Sequence, residues 1–68
     1  MSEQQLIEAA HEDGIRELYA NFEDLWIAAK RASDAAGVQK AEQIFATGVL
    51  LRRQACERAL ALLPPSKP

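Results

Sequence analysis

A chain of 68 residues forms one domain at most, and a core of that size rarely supplies more than about 3 to 5 kcal/mol without a staple. The single Cys56 excludes an internal disulfide and the single His11 argues against a Cys/His zinc site, so association with another subunit becomes the leading staple. With 49% hydrophobic residues, three Gly, three Pro and a net charge of −2, the composition describes a folded helical protein and argues against wholesale phosphate binding.

The amino terminus shows no basic region followed by an apolar run, and no stretch approaches the ~18 apolar residues of a membrane span. The expected setting is therefore the cytoplasm, without a membrane partner, and one unpaired Cys fits a reducing compartment. Charge is unevenly placed. Met1 to Ala36 carries eight acidic residues against Arg16, Lys30 and Arg31, whereas Gly37 onward carries two against Lys40, Arg52, Arg53, Arg58 and Lys67. An acidic half followed by a basic half suits two segments lying side by side.

The first predicted helix covers about residues 2–36. Ser2 followed by Gln5 has the spacing of a capping box, and Glu3 adds negative charge at the positive end of the helix dipole. At 3.6 residues per turn Ile7, Ile15, Leu18, Phe22, Leu25, Ala29, Ala32 and Ala36 form one stripe, with Tyr19 and Trp26 along a margin and His11 and Gly14 inside it. Gly14 costs about 1 kcal/mol relative to Ala in a helix, so either the helix tolerates it or another backbone comes close there. The turn is expected near Gly37, which suits a left-handed C′ position followed by Val38. A second reading caps the next helix with Ser33 or Asp34, two to four residues upstream.

The second predicted helix covers about residues 39–63, stopped by Pro64 and Pro65, with residues 64–68 left as a Pro-rich disordered tail. Its apolar set runs from Ala41, Ile44 and Phe45 through Gly48, Val49 and Leu51 to Ala55, Cys56, Ala59, Leu60, Leu62 and Leu63. That is close to half the circumference, wider than one neighbour covers. The predicted architecture is all-α: an antiparallel two-helix hairpin that dimerises into a four-helix bundle. A turn centred on Gly37 makes facing residue numbers sum to about 74, setting Trp26 near Gly48 and Leu18 near Cys56 and pairing the acidic with the basic half. The predicted hairpin or dimer core is Ile15, Leu18, Phe22, Leu25, Ala29, Phe45, Gly48, Leu51, Ala55 and Leu62.

Six residues stand out as candidate partner contacts. Tyr19 and Trp26 lie at the edge of the stripe, where aromatics are more often core but are also enriched at binding hot spots. Ile27 and Leu50 are apolar on otherwise polar sides; scattered aliphatics are ordinary, yet both could mark a docking surface. Arg52 projects into the second helix's apolar set, either laying its stem on apolar surface with a wet head or aiming its guanidinium at a partner carboxylate. Arg53 completes the set, and with Arg52 and Arg58 makes only a weak phosphate footprint. Adjacent carboxylates such as Glu12 and Asp13 diverge around a helix, which is wrong for a shared acid/base task. No catalytic, cofactor or metal motif emerges, so the expected protein is non-enzymatic and cofactor-free. Its expected partners are itself and another protein, with nucleic acid disfavoured.

In length and layout, and in the stretch ELYANFEDLWIAAKRASDAAG (17–37), the chain resembles the small phage-encoded quorum-sensing anti-activators, helical hairpins that dimerise and disable host regulators. That resemblance implies an inhibitor that sequesters a host regulatory protein, a transcriptional regulator being one candidate, through a helical face. In architecture alone the chain is also similar to the dimeric plasmid copy-number regulator Rop, which implies nucleic-acid regulation, and to type III secretion co-chaperones. No functional residue transfers from any of them.

Overall fold

Ser2 starts the first helix as its capping box predicts. Ser2 Oγ accepts from the Gln5 backbone N–H at 3.1 Å and Gln5 Oε1 accepts from the Ser2 N–H at 2.9 Å, satisfying two of the donors a helix start leaves free. The computed structural model describes residues 2–65, in which α1 spans Glu3–Arg31 and α2 spans Ala35–Leu62. Met1 and residues 66–68, most of the predicted disordered tail, lie outside the described residues. Among the described residues there is no strand, and the two helices pack against each other as a hairpin.

The turn lies four residues upstream of Gly37. Ser33, at φ 55°, takes the left-handed position, its N–H donates to the Lys30 carbonyl at 3.1 Å, and the Asp34 N–H donates to the Ala29 carbonyl at 2.9 Å. These two bonds are the 5→2 and 6→1 pair of a Schellman motif. Asp34 then caps α2 by accepting from the Gly37 N–H at 3.0 Å, so one residue ends the first helix and begins the second. Expecting the turn at Gly37 therefore fails, and the Asp34 cap reading holds. Gly37 has no positive φ; it serves a close approach in the first turn of α2. A Cβ there would stand 2.9 Å from the Asp34 Cγ and 3.2 Å from the Ala29 Cβ.

Moving the turn also moves the register. Gly14 faces Arg52, Leu18 faces Gly48 and Ala29 faces Gly37, each pair summing to 66 instead of 74. A shift of eight residues is about two helical turns, so the predicted stripes still meet but in different layers. Leu18 fills the space over Gly48 instead of reaching Cys56, and Trp26 meets Glu42. The predicted pairing of acidic and basic halves is absent: among the described residues no ion pair joins α1 to α2, and Arg16 pairs with Asp13 within α1 at 3.4 Å. Exposed pairs contribute only ~0.2 to 1 kcal/mol, so packing dictates the register.

At the carboxyl end Leu63 is extended (φ −68°, ψ 141°), as the residue before Pro64 prefers. The Cα envelope measures 58 × 18 × 9 Å, one helix layer thick. In so thin a slab only Ala29 and Ala41 among the described residues are buried, at 9% and 3% exposure, and both lie near the turn where small residues bring the helices together. The other described side chains are half-buried or exposed.

Candidate functional site

The hairpin has two broad sides, and the residues flanking its central line differ between them. On one side the rings gather. Phe22 and Phe45 stack across the helices with centroids 4.8 Å apart, Tyr19 sets its edge against Phe45 at 6.4 Å, and Trp26 lies 6.5 Å from Phe22. Aromatic pairs in such tilted and edge geometries contribute about 0.5 to 1.5 kcal/mol beyond the area they cover. Their polar ends are satisfied within the hairpin. Trp26 Nε1 donates to the Glu42 carboxylate at 3.1 Å, Tyr19 Oη donates to Glu23 at 3.2 Å, and the Lys30 ammonium sits 5.4 Å from the Trp26 ring centre. Even so, Tyr19 remains 52% exposed, an aromatic rim bordered by charges.

The opposite side is aliphatic. Near the turn Leu25 and Ala28 of α1 and the C-cap residue Ala32 line a shallow groove with Gly37, Ala41 and Ile44 of α2, with Asp34 and Lys40 at its border. A second shallow dent follows along α2 at Ile44, Gly48 and Leu51, beside Gln43 and Thr47, and farther on Ile7, Ala10 and Ala55 border another together with His11, Arg52 and Cys56. The spacing Ile44, Gly48, Leu51, Ala55, Leu62 repeats as in a helix seam packed on another helix. Leu18 covers Gly48, but the large residues of this seam stay open: Leu51 and Leu62 are 57% and 66% exposed, and Leu25 and Ile44 are exposed as well.

Within the predicted core, the hairpin therefore covers Ala29 fully and Ile15, Leu18, Phe22, Phe45 and Gly48 in part, while Leu25, Leu51, Ala55 and Leu62 remain open. The six predicted partner contacts do not form one patch. Tyr19 and Trp26 share the aromatic side, and helical spacing places Arg53 on the same side, one turn beyond Val49. Ile27 and Leu50, both exposed, lie on the outer backs of their helices. Arg52 lies across α1, its Nη1 only 2.8 Å from where a Gly14 Cβ would stand. This accounts for Gly14: the glycine makes room for a guanidinium, where a backbone approach had been one expectation. Around α2 Arg53 stands about 100° from Arg52 and about 140° from Arg58, and Arg52 and Arg58 stand about 120° apart, so they do not form a basic strip.

Sequence reasoning missed Glu42 and Lys30 as the groups that hold Trp26, for which the sequence carried no signal. Asp34, which caps α2, was one of the two residues of the alternative cap reading. Among the described residues no three His, Cys, Asp or Glu side chains come together to hold a metal ion, and no helix is long and apolar enough to cross a membrane. Comparison with protein-family models, with curated proteins and with solved structures returned no match for this chain.

Proposed function

We propose that this protein is a non-enzymatic binding module that engages another protein through the aromatic side of the hairpin, acting as an adaptor or as an inhibitor that sequesters a regulatory protein. The observation that carries this reading is Tyr19, half out of the fold, on a ring cluster already held in place by Phe45, Glu23 and Glu42. Such a rim is preorganised. A partner would cover a rigid aromatic surface bordered by Lys30 and Arg53 without ordering it first, and Tyr, Trp and Arg are the residue types that dominate binding energy at transient interfaces. Sequestration of a transcriptional regulator is what the likeness to the phage anti-activators implies, and the present reading includes it as one form of such an inhibitor.

The test is affinity capture by the immobilised protein with identification by mass spectrometry, repeated with Tyr19→Ala and Arg53→Glu at unchanged helicity. Both variants are expected to lose at least tenfold of a specific captured protein, and Leu51→Asp, on the other side, is not expected to lose it when helicity is kept. Capture that survives both substitutions, or no specific capture, overturns the reading.

A further inference from the structure

We infer that the aliphatic side is the seat of a second copy of this chain, in a two-fold dimer that stacks α1 of one protomer over α2 of the other. The first argument is area. A compact folded monomer of 7.5 kDa exposes about 4,200 Å², whereas the hairpin exposes 5510 Å², roughly 1,300 Å² more. A standard interface covers about 800 Å² per partner, so one seated copy removes most of that excess. The second argument is chemistry. Obligate self-interfaces resemble a domain core cut in half, and this side offers leucine, isoleucine, alanine and glycine at seam spacing with no Phe, Tyr or Trp ring, with Lys40, Gln43 and Thr47 as polar residues at the margin and His11 and Arg52 toward the open end.

Charge decides the arrangement. By helical spacing Glu17 and Asp24 lie along the outer α1 edge of the aliphatic side, and Lys40 and Arg58 lie along its outer α2 edge. A two-fold axis running parallel to the helices brings each acidic edge over the partner's basic edge and keeps the two turns at the same end. The perpendicular axis stacks acidic on acidic. The observed register puts Asp24 within about one turn of the level of Lys40, so the parallel axis brings these two together across the interface, twice per dimer. Asn21, between Leu18 and Leu25, is a polar residue in the α1 half of this seam, the kind of interruption that fixes the register of packed helices.

The measurement is the mass of the full chain in solution by light scattering or sedimentation at micromolar concentration. The wild type is expected at twice its 7.5 kDa and Leu51→Asp at 7.5 kDa with its helicity kept. Wild type that stays at the monomer mass, or folded Leu51→Asp that stays dimeric, overturns the dimer. Should Leu51→Asp lose helix and mass together, the decision passes to charge variants. Asp24→Lys and Lys40→Asp alone are each expected to weaken association roughly three- to tenfold, and the double exchange to restore it. Failure of the double exchange to restore association overturns the arrangement. Loss of partner capture by Tyr19→Ala without change in mass would belong to the binding reading on the other side, so the two fail separately.

Discussion

The two sides of the hairpin differ in how far they complete themselves. On the aromatic side Phe22 and Phe45 cover each other and the Trp26 and Tyr19 polar atoms find carboxylates inside the same chain. On the aliphatic side Leu51 and Leu62 are more than half exposed and Leu25 and Ile44 more than two-fifths, with no ring or polar partner to complete them. The difference follows from size: a planar ring reaches across the gap between two helices and is covered by one partner ring, while a leucine on the flank of a two-helix slab needs a third helix above it. The aromatic side thus holds the hairpin together, and the aliphatic side calls for a neighbour.

The sharpest way to break this comparison is to truncate one residue on each side. Phe45→Ala removes a ring that touches both Phe22 and Tyr19, and is expected to lose about 3 kcal/mol, most of what a core of this size supplies. Leu51→Ala is expected to change the stability of dilute protein by less than about 0.5 kcal/mol, and to reduce only the part of the melting temperature that rises with concentration. Urea unfolding followed by circular dichroism, at two protein concentrations, reads both. Equal losses for the two variants would erase the distinction.

Much of this division was legible in the sequence, because helix type and apolar width follow from 3.6-residue periodicity and the cap at Ser2 from its box with Gln5. The turn was not. Glycine is the usual left-handed residue, and Gly37 drew the prediction, yet Ser33 takes φ 55° while Gly37 lets Asp34 and Ala29 come close. Local preference lost to packing between small residues at the helix junction. With the turn misplaced the register followed, and so the partner of every cross-helix residue. Which side held the unsatisfied area was hidden as well, since periodicity puts Leu25 in the stripe and Trp26 on its margin without saying which flank of the stripe the rings of the other helix would cover.

The glycines sharpen the comparison at the next scale. Gly48→Ala sets a Cβ 2.8 Å from Leu18 Cδ1 in the packed centre, an overpacking that outweighs the helix propensity gained, for a net loss of about 1 kcal/mol. Gly14→Ala meets only the exposed end of Arg52, which can swing into water, so the propensity gain of about 1 kcal/mol is kept. One substitution with two signs, read by thermal melts, checks that Leu18 is held and Arg52 is not. Ser33→Gly relieves the left-handed serine and is expected to stabilise by about 1 kcal/mol or somewhat less, without changing the register.

The smallest effect probes how the aromatic side completes itself. Glu42→Gln keeps an oxygen to accept from Trp26 Nε1 but removes the charge that strengthens the bond. Because the pair is exposed, the expected loss is only about 0.5 kcal/mol, with Trp26 fluorescence becoming more accessible to a quencher in water. The mass in solution should match the wild type's, since Glu42 is on the ring side. If quenching and stability both stay at wild-type values, the hydrogen bond and the ring stack hold Trp26 without help from the charge of Glu42, and that charge is then available to a partner's cation at the edge of the aromatic rim.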